Sequence, residues 1–337
     1  MKKALIASLS ILLLAAFIPA ISTAAPKTVV LKMAMYQPAK HAFVEFYQSM
    51  LPKVEEITGG RVKIKLFHSS TLLKSTNMDE GINKGVADLG LSYPPMVSAS
   101  IPFIGMTDLP GVWRDTKGFN DAFDNGLTEI YEQAYHEGGM KNIKIIGLAN
   151  IGSWYIATTK KPFKVPSDLT GLKIAGAGRM HVTYIDACGG KGIYIPIIER
   201  YESMERGIVD GCTGFTSNFV SWKFMEPCKY FVDFAPALGP MMLIMNSDSL
   251  KKIPDELQEP VLGALKLIAM SHRGAMAAKT TYNHDIIMPQ HMEYYRPNPE
   301  EVNLWRDAGK PLVEEWLSKT GALGRKAMDI VEKYNQR

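Results

Sequence analysis

The sequence is poor in cysteine, in net charge of either sign and in long apolar runs. Its three cysteines are Cys188, Cys212 and Cys228, all within residues 188–228 of a 337-residue chain. None belongs to a Cys-x-x-Cys pair and no His/Cys spacing suits a metal, so neither a metal site nor any cofactor is expected. A chain this long can bury a large core and does not need disulfides to hold it. In an oxidising compartment one cysteine pair could bridge and leave one thiol free, and the sequence does not choose the pair. Lys plus Arg, at 38, outnumber Asp plus Glu, at 34, by too little and too diffusely to point to nucleic acid. Beyond residue 25 no apolar run approaches the length that spans a bilayer. Gly-x-Ser-x-Gly and Gly-x-Gly-x-x-Gly are both absent, and no Ser-His-Asp set is recognisable. Gly176-Ala-Gly178-Arg-Met-His181 follows a strand and opens a helix as a dinucleotide loop would, but it lacks the third glycine. The sequence therefore gives no reason to expect an enzyme. There are no repeats, no low-complexity tract and no Gly/Ser linker.

What is present begins with an address label. Lys2-Lys3 precede an apolar stretch from Ala4 to Ile21, and Ser22-Thr-Ala24 offers a small-x-small cleavage site, with Ala25 as an alternative. Residues 1–25 read as a signal peptide rather than an anchor, because no basic stop-transfer flank follows. No cysteine near the cut offers a lipid attachment point. The mature chain is expected in the periplasm, and losing Lys2 and Lys3 takes its formal net charge from +4 to +2. Hydrophobic residues at 46% and charged residues at 21% are ordinary for a soluble globular protein.

Strands and helices then alternate. Val29 to Ala34 reads as a strand and His41 to Ile57 as a helix kinked at Pro52 and stopped by Gly59-Gly60. Val62, Ile64 and Leu66 alternate with basic residues in a half-exposed strand. Asn77 to Gly85 reads as a helix, Ala87 to Tyr93 as a strand, and Phe119 to His136 as a helix. Ile143 to Gly147 and Trp154 to Thr159 read as two strands. In the central stretch, strands at Leu172 to Ile174, Gly192 to Pro196 and Ile208 to Asp210 are separated by helices at Met180 to Ala187 and Ile198 to Arg206. Ser217 to Tyr230 looks helical, Met241 to Met245 is a buried strand, and a long helix runs from Pro254 to about Ile287. The tail reads as two helices with Trp305 and Trp316 facing inward. This alternation predicts an α/β fold with a mostly parallel sheet, whose ligands sit at the carboxyl ends of strands. The loops Ala175 to Arg179 and Cys212 to Asn218 leave two such ends.

Several segments together resemble the solute-binding proteins of tripartite ATP-independent periplasmic (TRAP) transporters, the DctP-like family. They are Val54-Glu-Glu-Ile-Thr-Gly-Gly-Arg61-Val-Lys-Ile, Gly81-Ile-Asn-Lys-Gly-Val-Ala-Asp88 and Asp108-Leu-Pro110. Lys161-Pro-Phe-Lys-Val-Pro-Ser-Asp-Leu-Thr-Gly-Leu-Lys-Ile174, Glu199-Arg-Tyr201 and Gly207-Ile-Val-Asp-Gly211 follow in order. The resemblance covers nearly the whole mature chain. It implies a two-lobe periplasmic-binding-protein type of fold with a ligand cleft between the lobes. Lobe I would hold residues 26–150 plus about 240–260, and lobe II residues 151–239 plus about 261–337, with a helix at about 254–288 shared. It further implies a monomer that closes on a small organic solute and delivers it to membrane permease subunits driven by an ion gradient.

The family's carboxylate-clamping arginine directly follows the Gly-Leu-Lys-Ile strand, where this chain has Ala175. A second family arginine follows a Gly-x pair, where Trp154 follows Gly152-Ser153. A buried carboxylate without a cation is costly, so this exchange points to a ligand with an aromatic or apolar body, with or without an acid end. Trp154, Phe215 and Trp222 would offer flat faces. Arg179 could hold an acid from another angle, or be a surface arginine. Tyr36 and His41 lie in the first loop, which faces the cleft in this family. Ser70 follows a strand and Tyr93 ends one. Thr213 and Asn218 lie in the loop after Gly211. Asn246 would contact ligand or cap the helix at Asp248. A sensor partnered with a membrane receptor is the alternative use of the same fold.

Overall fold

The computed structural model describes residues 28–335, so the signal-peptide reading lies outside the described residues. Its strands are β1 (Val29–Ala34), β2 (Val62–Phe67), β3 (Leu89–Ser92), β4 (Ile143–Thr158), β5 (Lys173–Gly176), β6 (Lys191–Tyr194), β7 (Gly211–Phe215), β8 (Tyr230–Val232), β9 (Leu238–Asn246) and β10 (Glu293–Tyr295). They hydrogen-bond in the order β2-β1-β3-β9-β4-β7-β5-β6, with β8 and β10 as a branch from β4. Within each half the outer strands are parallel: β1 with β2 and β3, and β5 with β6 and β7. The two central strands, β4 and β9, run antiparallel to each other and join the halves. This is the mixed α/β two-lobe architecture, with helices on the faces of both halves.

β4 departs from expectation by being one strand rather than two. Its pairing with β9 slips between Ile145 and Gly147 and again between Leu148 and Asn150. Such bulges bend and twist a strand without ending it. The first part of β4 thus serves one half of the sheet, while Trp154 to Thr158 pairs with β7 in the other. A second departure lies at residues 208–210, which form a turn after Gly207. The strand begins only at Gly211, where a Cβ would come within 2.3 Å of the Ala157 carbonyl oxygen, so this close backbone approach needs glycine. A third is the helix expected from Ser217 to Tyr230, which spans only Thr216–Ser221. Lys223 adopts φ +60° and turns the chain so that Phe224 enters the core.

The long helix Asp255–Tyr282 lays Val261, Leu265, Ile268, Ala269, His272 and Met276 against the sheet. The tail Pro299–Asn335 breaks at Gly321, as two helices would. Trp305 donates its indole N–H to the Lys164 carbonyl at 2.9 Å, and Trp316 donates to the Pro102 carbonyl at 3.0 Å. Each indole is buried, one in each half. Cys188, Cys212 and Cys228 are free and buried.

Two buried histidines make stability sensitive to acid. Burial lowers the pKa of His272 to about 4, against the pull of the Ala149 carbonyl that accepts its Nδ1–H. Burial also lowers His41 to about 4, helped by the charges of His272 and Lys279. A base whose folded pKa is depressed contributes stability above its unfolded pKa of about 6.5 and loses it as pH falls toward the folded value. Asp79, raised to about 6 by burial, acts with the opposite sign. His272→Gln removes this imidazole together with its push on His41, so comparing it with the parent reads the two effects as one. The parent should lose about 2 kcal/mol more unfolding free energy than His272→Gln between pH 7.5 and 5. Urea denaturation at both pH values measures this, and equal losses would contradict it.

Candidate functional site

β1, β3 and β7 all point their carboxyl ends at the join between the two halves, and the residues just past those ends meet there. Tyr36 and Gln37 follow β1, Tyr93 follows β3, and Phe215 closes β7. With Trp222, Met241 and Arg200 they line a cavity of about 630 Å³ of atom-free space, its mouth included. Only about 50 Å³ of this can take the centre of a water molecule.

The walls are aromatic. Tyr93 meets Phe215 edge to face, with ring centroids 5.5 Å apart. Both rings lie over Gly239 of β9. A Cβ there would come 2.6 Å from the Phe215 ring and 3.0 Å from the Tyr93 ring, so a larger residue would push them into the cavity. Burial pushes the Tyr36 phenol above its usual pKa, and it is neutral at physiological pH.

The polar groups are few and mostly buried. His41 caps the helix Ala42–Met50 by accepting the Phe43 N–H on Nδ1 at 3.2 Å. Its single proton therefore sits on Nε2, leaving a neutral donor. Asn218 uses Oδ1 to accept the Phe215 N–H at 2.9 Å. Gln37 Oε1 and Trp222 Nε1 are buried with no hydrogen-bond partner.

Arg200 carries the charge. It lies on the helix Ile197–Glu205, on the inward stripe with Ser203 and Met204, and is 2% exposed. Nε donates to the Ile195 carbonyl at 2.8 Å and Nη1 to the Thr213 carbonyl at 3.0 Å. Among the described residues it has no ion-pair partner, and Nη2 makes no hydrogen bond. Burial lowers its pKa from the usual arginine range. A guanidinium held by two carbonyls, with an edge left open and no carboxylate beside it, is suited to a bidentate oxyanion.

Of the residues expected from sequence, Tyr36, His41, Tyr93, Phe215, Asn218 and Trp222 line this cavity. The others lie elsewhere. Trp154 is fully buried, its ring stacked on His181 at 4.1 Å and edge-on to Tyr184, so it has no face left for a ligand. Ala175 is a core methyl packed with Ile195, Met204 and Cys212. Arg179 is half exposed, 3.8 Å from Glu315, and lines a separate cavity with Ser98, Met180 and Trp316. Thr213 is buried behind the wall, its hydroxyl 2.6 Å from His181 Nδ1. Asn246 is a helix cap, accepting the Asp248 and Ser249 N–H groups on Oδ1. Ser70 forms a turn at φ +57°, its hydroxyl directed at the Tyr36 carbonyl. The sequence reading missed Arg200, Gln37 and Gly239. The signal for Arg200 was present: an arginine three and four residues before Ser203 and Met204 shares their helix face.

Known proteins now place the chain. The profile for bacterial extracellular solute-binding protein, family 7, matches residues 33–320, and the chain belongs to that family. Its fold is that of TRAP periplasmic solute-binding proteins, which are receptors and not enzymes. The 2,3-diketo-L-gulonate-binding periplasmic protein of Escherichia coli is 26% identical over 63% of this chain. The match spans 64% of that relative, less than two thirds of its length. A Bordetella pertussis extracytoplasmic solute receptor binding pyroglutamic acid superposes with a TM-score of 0.81 at 19% identity, over 90% of this chain and 100% of its own. A TRAP solute-binding protein of Anaerococcus prevotii with bound glucuronate gives 0.83 at 20% identity, over 92% and 99%. At such identities these likenesses establish the fold.

The placement of Trp154 in the core carries its own test. Trp154→Ala should lower unfolding free energy by about 3–5 kcal/mol, as large-to-small changes of buried aromatics do. Urea denaturation measures it, and a loss below about 1 kcal/mol would place the ring outside the core.

Proposed function

We propose that this chain captures a compact organic acid in the cavity between its lobes. The acid's carboxylate sits on Arg200, and its body packs against Phe215, Tyr93 and Trp222. The observation that carries this reading is the buried Arg200 guanidinium without an anionic partner. Such a charge is held at a desolvation cost, and a carboxylate arriving in the cavity offsets that cost. A neutral ligand cannot. Gln37 Oε1 and Trp222 Nε1 call for a donor and an acceptor on the ligand as well, because buried polar atoms are normally paired. A purely hydrocarbon acid satisfies neither. The acids named for the compared structures, pyroglutamate and glucuronate, support the same class. The small free volume favours a compact molecule.

The family's arginines are absent at Ala175 and Trp154, and in this reading their part is taken by Arg200 on a helix, not by Arg179. The aromatic body expected of the ligand retains its support in the cavity walls. We further propose that residues 1–25 are removed and that the mature monomer works in the periplasm. It then hands its solute to the permease subunits of an ion-gradient-driven TRAP transporter. In this reading the lobes divide near residues 150 and 240, and the tail Pro299–Asn335 packs against both.

Isothermal titration with pyroglutamate, D-glucuronate, D-galacturonate and a C4 dicarboxylate, each beside its neutral amide, tests the reading. At least one acid should bind while its amide does not. Arg200→Gln should weaken that acid by about 100-fold or more, the scale of a lost buried charge pair. An amide that binds as tightly as its acid, or an unchanged affinity in Arg200→Gln, would overturn it.

A further inference from the structure

Behind the aromatic wall lies a polar contact between the two halves of the molecule. Asp108 ends the turn Pro102–Asp108 in the half built on β1 and β3, and is fully buried. His181 belongs to the helix Arg179–Ala187 in the half built on β5 and β7, and is also fully buried. His181 Nε2 lies 3.3 Å from Asp108 Oδ2. Tyr93 donates its hydroxyl to the same Oδ2, and its oxygen lies 3.2 Å from His181 Nε2. On the far side, His181 Nδ1 is 2.6 Å from the Thr213 hydroxyl, and the Trp154 ring covers the imidazole. Asp108 Oδ1 has no partner.

One of these residues lines the ligand cavity and another supports it from behind. The Tyr93 ring is a cavity wall, and the Thr213 carbonyl accepts a hydrogen bond from Arg200. The contact can form only when the halves are together, because its groups come from both sides. With the halves apart, Asp108, His181 and the Tyr93 hydroxyl would each return to water. A buried polar pair contributes little net stability, yet it tolerates almost no misalignment. It therefore rewards one relative placement of the two halves and penalises those near it.

We propose that Asp108 and His181 are positioning residues that latch the closed arrangement and, through Tyr93 and Thr213, hold the cavity wall and Arg200 in place for the solute. This rests on the acid-binding reading only for which solute is used. The latch itself is a property of the chain and can be measured without any solute. Closing requires the Tyr93 hydroxyl, the Asp108 carboxylate and the His181 imidazole to meet. Removing any one leaves the others buried and short of a partner, a penalty felt in the closed form alone. Dissociation of a bound solute requires the latch to open, so its loss should appear in the off-rate. Encounter happens from the open form and should be nearly unchanged.

The test uses spin labels on the mature chain at Val86→Cys and Ile208→Cys, positions 45% and 53% exposed on opposite halves. The native cysteines are buried and should not label. Electron–electron distance distributions are recorded without solute and with each of pyroglutamate, D-glucuronate and D-galacturonate. The parent should show a short-distance population, and Asp108→Asn, His181→Gln and Tyr93→Phe should each deplete it at least tenfold. For any acid that binds, stopped-flow traces should show an off-rate at least tenfold faster and an on-rate within threefold of the parent. A merely structural role would change melting temperature without this split. A short-distance population that survives in the variants would overturn the latch, as would its absence from the parent under all conditions. So would an on-rate that falls as much as the off-rate rises. If the distances respond as expected while no acid binds, the latch stands and the acid-binding reading fails.

Discussion

Arg200 is almost wholly buried, and no carboxylate among the described residues pairs with its charge. Keeping a guanidinium there is costly, and the surrounding structure is arranged to make that cost bearable. Pro196 starts the helix that carries Arg200, and the Ile195 carbonyl just before it takes one N–H. The end of β7 supplies the Thr213 carbonyl for another. Ala175 is small and packs among Ile195, Met204 and Cys212 on the face of the sheet that this helix covers. What remains open is one edge of a planar cation, facing a space walled by rings. Arg200 is thus the one charged residue in the lining of this cavity, and an acid that entered would be oriented by it.

The fold delivers these groups to one place because of where strands end. β1, β3 and β7 run so that their carboxyl ends converge at the join, and β4 and β9 hold the two sets of ends in fixed relation. β4 does this as a single bulged strand. Gly239 completes the arrangement by leaving room above β9 for two rings that would otherwise fill the cavity. Covering helices and the straddling tail then exclude water from the rest.

Much of this was legible in the sequence, for identifiable reasons. Alternating strands and helices depend on local periodicity, and a residue just past a strand end needs no tertiary knowledge to be placed near a cleft. Tyr93 follows from that rule, and Tyr36 and Phe215 from the loops that the family resemblance turns toward the cleft. Trp154 does not. Its burial depends on the pairing of β4 with β7 and on His181 arriving from another helix, and the bulges that set that pairing carry no clear local signal. Asn246 has the same side chain whether it binds ligand or caps a helix, and only the position of residues 248 and 249 decides. Arg200 stands in a run of charged residues, Glu199, Arg200 and Glu202, that reads as a solvated face. Its helical phase with Ser203 and Met204 contradicts that reading, but the inward direction becomes certain only when the sheet beneath is known.

The tail offers a mechanical consequence. Trp305 is rooted in one half and Trp316 in the other, and the helix between them is unbroken, since Gly321 lies beyond both. About 16 Å of helix, with a backbone hydrogen bond missing at Pro311, therefore bridges the gap from outside. Any gaping of the cleft has to pivot about that helix, bend it at Pro311 or pull an indole from its socket. The hinge axis and the width of the mouth are in this sense set by a strut on the back of the molecule, well away from the residues that touch the solute.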